Sequence, residues 1–240
     1  DLRMSRGLGD VYKRQINKRV NEMLIQPDRL RKLLIVVFSV LFLVLAIQVR
    51  FDMLFVHVLD NGGTLVIQNL LPHALAIWVA LGGLFAHYWV IVLLSIGLAL
   101  FFKAINYQIA MWWFLITQFA VLLLTGVLSL ILQVYWSNGL KIGPMMPDLL
   151  LVWWLQFLAV IVAIILPRVC QHQRTRVIIT TVTVVFWLLI LLARMKFADM
   201  PLSSGMGALF FGYFWWQLSE QQYRKRAQHW RSVLKIDTQI

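Results

Sequence analysis

Six stretches of this chain run for sixteen residues or more without a charged side chain, and few folds can accommodate that. They are Leu33–Val49 (LLIVVFSVLFLVLAIQV), His87–Phe102, Ile109–Trp136, Leu149–Leu166, Val177–Ala193 and Ser203–Leu218. At 1.5 Å per helical residue, about 20 apolar residues cover the roughly 30 Å hydrocarbon layer of a bilayer. Inside that layer no water pairs with the backbone, so each run must satisfy its own N–H and C=O groups as a helix. Composition points the same way. Of 240 residues, 61% are hydrophobic and 13% charged, against about half and a quarter in soluble domains. Trp112 and Trp113 near one end of the third run, and Tyr135 and Trp136 at the other, suit the headgroup level. The expected fold is an all-α integral membrane bundle of six transmembrane helices.

Charge orders the runs across the membrane. The formal net charge is +12, and the cations cluster beside apolar runs. They do not form the basic stripe with stacking aromatics that a nucleic-acid surface needs, so nucleic acid is not an expected partner. With six crossings, Lys18, Arg19, Arg29, Arg31, Lys32, Lys103, Arg168, Arg174, Arg176, Arg224, Lys225, Arg226, Arg231 and Lys235 fall on one side. Only Arg50, Lys141, Arg194 and Lys196 fall on the other. The positive-inside rule then puts both termini in the cytoplasm of a bacterial inner membrane. Thr64–Leu84 is long enough to cross, but holds Gln68, Asn69, Pro72, His73 and the pair Gly82–Gly83. A seventh crossing there would separate the two basic ends, so the stretch reads as an interfacial or re-entrant helix. Gly205, Gly207 and Gly212 in the last run would permit close helix approach.

The segment SRGLGDVYKRQ (Ser5–Gln15) resembles the conceptual translation of a transposase-based sequencing-library adaptor. That resemblance implies that residues 1–15 are foreign to the natural chain, which starts at Met23 or further upstream, with room there for another domain. The expected organisation is then 1–15 adaptor, 16–32 basic cytoplasmic segment, 33–218 membrane domain and 219–240 basic cytoplasmic tail. Tyr223, Trp230 and Leu234 suggest that the tail is an amphipathic helix on the cytoplasmic leaflet or a solvated extension of the last span.

Three features resemble the type 2 phosphatidic acid phosphatase superfamily, whose members have six helices and outward catalytic loops. Leu81-Gly82-Gly83 precedes the second span. The basic connector PRVCQHQRTRV (Pro167–Val177) follows the fourth. ARMKFADMPLSSGMGALFFGYFWW (Ala193–Trp216) has the outline of the family's last motif. The resemblance implies the same bundle. The family's chemistry needs a nucleophilic histidine held by an aspartate, a second histidine as acid, and cations on the phosphate. Here Arg194 stands at the last motif's arginine, but Met200 occupies the nucleophile position and Ser204 that of the orienting aspartate. Only Pro147 remains of the Pro-Ser-Gly-His turn, and Gln133 and Leu140-Lys141 replace the first motif.

No catalytic residue is therefore assigned, and Arg194 is the candidate contact for an anion or lipid phosphate. His57, His73 and His87, with Asp52, Asp60, Asp148 and Asp199, fall on the outward side as scattered interfacial polar groups. Apart from His57 and Asp60, none shows the i, i+3 or i+4 pairing of a helical metal site, and no metal or cofactor is expected. Asp199 is the expected local ion partner of Arg194 or Lys196. Gln118 and Gln133 are expected to bond between helices. Cys170, the one cysteine, allows no intrachain disulfide. The function these features suggest is binding or organising a membrane lipid, or serving as a membrane-protein partner, on a degenerate phosphatase scaffold. An active lipid-phosphate phosphatase using His57, His73 or His87, and a small-molecule or lipid transporter, are the alternatives.

Overall fold

The computed structural model describes residues 31–69, 73–105, 108–132, 134–135, 141–142, 146–170 and 172–233. The adaptor-like segment and the basic segment up to residue 30 lie outside it, as do Gln133, Leu140 and Leu234. The chain is helical. In order come α1 (Arg31–Arg50), α2 (Leu54–Asn69), α3 (His73–Phe85), α4 (Tyr88–Ala104) and α5 (Gln108–Ile131). A two-residue antiparallel pair follows, β1 (Val134–Tyr135) with β2 (Lys141–Ile142). Then come α6 (Leu149–Val160), a π-helical turn (Ile161–Ile165), α7 (Leu166–Val169), α8 (Gln173–Phe197) and α9 (Leu202–Val233).

Among the described residues, Lys32–Arg50, Gln108–Ile131 and Gln173–Phe197 are long and apolar enough to cross a membrane. A fourth span results if the bent pair Leu75–Phe85 and Tyr88–Ala104, 65° apart, counts as one. Two of the six expected runs behave differently. Leu149–Ile165 is a shorter apolar helix, about 26 Å long at helical rise. Ser203–Leu218 is part of α9, which continues without a break to Val233, so the tail begins as an extension of the last helix. The run Ile109–Trp136 ends as a helix at Ile131 and gives its last residues to the β pair. Thr64–Leu84 is no single helix. It is divided between α2, 16 residues, and α3, 13 residues, each shorter than a full crossing.

The packing is that of a bundle in lipid. The core is one cluster centred on α6, whose Leu150, Leu151, Val152, Trp154, Phe157 and Val160 are all buried. Helix α6 packs on α4, α5, α8 and α9, and α9 also packs on α1, α2 and α5. The peripheral helices turn their oiliest faces outward. On α5, Ile116, Phe119, Leu123, Leu130 and Ile131 are exposed while Gln118 and Thr125 are buried. An apolar surface of that extent is foreign to a water-soluble monomer. In lipid it costs nothing to expose, and the interior is free to hold the polar groups.

Glycine sets the closest approach. A Cβ on Gly82 would sit 2.6 Å from the Leu189 carbonyl oxygen, so α3 and α8 touch backbone to backbone. Gly205 and Gly207 play the same part for the Leu191 and Met146 side chains.

Candidate polar pocket

Five helix termini meet at one end of the bundle and line a pocket of about 500 Å³. The C-terminus of α1 supplies Asp52. Helix α2 supplies Val56, His57 and Asp60, and the residue before α6 is Asp148. The end of α8 and its connection to α9 supply Arg194, Asp199 and Met200, and α9 supplies Ser204. Helix ends carry unpaired backbone donors and acceptors, which explains why the polar side chains gather here.

Asp148 is the hub. Its Oδ1 accepts a hydrogen bond from Leu151 N at 2.9 Å and so caps the N-terminus of α6. Its Oδ2 accepts from Arg194 Nη2 at 2.6 Å, with the carboxylate side chain 8% exposed and the guanidinium 20%. Arg194 Nε is buried and has no hydrogen-bond partner. The guanidinium thus has one arm fixed and one buried donor unused.

Asp60 caps a second helix across the fold. Its Oδ1 accepts from Ser203 N at 2.7 Å and its Oδ2 from Ser203 Oγ at 2.8 Å. This places a carboxylate at the positive end of α9, where the macrodipole favours it. His57 Nε2 lies 2.9 Å from Asp52 Oδ1, both side chains about half exposed. Asp52 and Asp199 adopt left-handed backbone conformations, φ 51° and 47°. Asp52 closes α1 in a Schellman turn: Met53 N donates to Gln48 O at 3.0 Å, and Asp52 N to Val49 O at 3.3 Å.

The sequence named Arg194 as the one candidate contact, and the structure puts it on the pocket wall. Asp52, His57, Asp60, Asp148 and Asp199, which looked scattered along the chain, line the same pocket. His73 opens α3, and His87, which precedes α4, is not among the residues that line it. The expected partner of Arg194 is corrected from Asp199 to Asp148, 46 residues away in sequence. Met200 is buried, and Ser204 accepts from Asp148 N at 3.4 Å through its carbonyl. No local sequence signal joins Asp148 to Arg194 or Asp60 to Ser203, since both contacts come from the bundle's closure.

Four carboxylates face one guanidinium in this pocket. That balance suits a group carrying positive charge together with an anionic one better than a bare anion. Among the described residues, no three His, Cys, Asp or Glu side chains converge as a metal set would. No family model, no curated protein and no solved structure matches the chain.

Proposed function

We propose that this chain is a multi-pass protein of a bacterial inner membrane that binds the headgroup of a zwitterionic lipid in the polar pocket. Its bundle would be laid out as in the type 2 phosphatidic acid phosphatases, with six crossings, the pocket facing outward and both termini in the cytoplasm. The observation that carries the lipid reading is the buried, unused Nε donor of Arg194 beside an excess of carboxylates. A lipid phosphate oxygen would complete the guanidinium, and Asp52, Asp60 or Asp199 would receive the ammonium group. The pocket opens where helices meet the headgroup layer, so a lipid reaches it without leaving the membrane.

The test is lipid retention by the purified chain in nanodiscs of mixed phosphatidylethanolamine and phosphatidylglycerol, read by mass spectrometry. Expected is enrichment of phosphatidylethanolamine that falls about tenfold in Arg194→Gln, the size of one charge-assisted hydrogen bond. Equal retention of both lipids, unchanged in Arg194→Gln, would overturn the reading.

One observation favours a second reading, an active lipid phosphatase. His57 is paired with Asp52 as a nucleophile or proton carrier would be, and it shares the pocket with Arg194. Phosphate release from phosphatidic acid that is lost in His57→Ala would establish it in place of the binding role.

A further inference from the structure

A second cavity lies along the helices, away from the polar end. Helices α8 and α9 are joined by four residues, yet along their length they are separated by α6 and the π-helical turn, which pack on α8. The gap between them is a groove of about 490 Å³, lined by Leu155, Leu158, Val162, Thr180, Trp187 and Leu209. Small-molecule sites span roughly 300–1,000 Å³. One side is closed by α1, where the Phe38 ring lies 4.4 Å from that of Tyr213. Where α8 and α9 do meet, Leu191 fills the space over Gly205.

The lining is mostly apolar, and the Thr183 hydroxyl is spent on the Ile179 carbonyl. Gln217 lines the groove, is 4% exposed, and its Oε1 accepts no hydrogen bond. A buried acceptor without a donor costs about 1–3 kcal/mol unless something else supplies one. Bulk acyl chains fill such a groove but bring no donor to Gln217. The position of Gln217 narrows the choice. It is thirteen residues beyond Ser204 on α9, about 20 Å along the helix, at the end of the bundle where α1 and α8 begin. Lys32 and Arg174 stand in the first turns of those helices, while Arg176 spends its guanidinium on the Cys170 and Pro167 carbonyls. Hydrocarbon, then a hydrogen-bond acceptor, then cationic helix starts is the order in which a lysolipid presents its chain, hydroxyl and phosphate.

We propose that the groove is a second lipid site that takes an anionic lysophospholipid. The single chain lies between α8 and α9, the glycerol hydroxyl donates to Gln217 Oε1, and the phosphate sits at the basic helix starts. This site stands on its own observations and does not depend on the polar pocket binding anything.

The test uses the full chain in phosphatidylcholine nanodiscs, titrated with 1-palmitoyl lysophosphatidate and with its 2-O-methyl analogue, and read by native mass spectrometry. Expected is about tenfold weaker binding of lysophosphatidate by Gln217→Leu, with the analogue bound equally by both proteins. Leu209→Trp and Ala163→Leu, which fill the groove, weaken both ligands, and Arg194→Gln weakens neither. Gln217→Leu folds at least as well as wild type, because it removes a lone acceptor. Affinity for lysophosphatidate unchanged in folded Gln217→Leu and in both groove-filling variants would overturn the proposal. So would equal binding of the two ligands by the wild type, or a loss confined to Arg194→Gln.

Discussion

Asp148 does two jobs with one carboxylate, and the two can be separated by substitution. Asp148→Asn keeps a capping oxygen for Leu151 N and removes only the counter-charge of Arg194, whereas Asp148→Ala removes both. For Asp148→Ala the expected destabilisation is about 3 kcal/mol, about 1 from the cap and the rest from a mostly buried guanidinium left without its partner. Asp148→Asn should cost less. Adding Arg194→Met to Asp148→Asn should recover stability, because the stranded charge goes too, and chemical unfolding in detergent of wild type, Asp148→Asn, Arg194→Met and the double variant measures that coupling. The glycines offer a second contrast. A Cβ at Gly82 meets a carbonyl oxygen at 2.6 Å, whereas one at Gly212 meets the flexible Leu155 side chain at 3.3 Å. Gly82→Ala is expected to lose about 1–3 kcal/mol by overpacking against backbone, and Gly212→Ala well under 1 kcal/mol because a side chain can yield. Thermal unfolding of the two variants checks the difference.

Helix α9 shows how an element can be fixed from outside itself. Its first turn has no acidic residue of its own, and Asp60 of α2 supplies the carboxylate through both oxygens to Ser203. Asp60→Ala is expected to destabilise the chain by about 1–2 kcal/mol, the range for losing an N-cap. It should also raise hydrogen exchange at the start of α9 before the rest of the bundle opens. Some of this level was legible in the sequence and some was not. Uncharged runs located α1, α4, α5, α6 and α8, because the constraint that makes them helices is local and repeats at every residue. The polar interruptions in Thr64–Leu84 marked a stretch unlike the others, and it divides into α2 and α3. The ending of α5 at Ile131 could not be read, since Val134 and Tyr135 are as apolar as what precedes them and only pairing with Lys141 and Ile142 takes them out of the helix. The Asp148–Arg194 and Asp60–Ser203 contacts were equally hidden. Each joins residues on different helices, and nothing in one run of sequence records which termini will share an end of the bundle.

For the molecule as a whole, the exposed faces of α1, α5 and α8 make sense only beside lipid. Leu33, Val36, Val40, Leu43 and Ile47 of α1 are outward while Phe42, Leu45 and Val49 face the core, so both faces are oily and water is excluded from each. The arrangement also sorts the termini. Asp52, Asp148, Arg194 and Ser204 gather at one end, whereas α7 runs on to Val169 about 31 Å beyond Asp148 at helical rise. Cys170 therefore belongs to the opposite end from the pocket. Its thiol and two introduced ones decide the matter directly. Phe51→Cys and Ala198→Cys, each in a Cys170→Ser background, and the native Cys170 are treated with a membrane-impermeant maleimide in intact cells stripped of outer membrane, and again after lysis. Expected is labelling of Phe51→Cys and Ala198→Cys before lysis and of Cys170 only after it. Labelling of all three from one side, or of Phe51→Cys and Ala198→Cys from different sides, would contradict a bundle that spans the membrane with its polar pocket at one face.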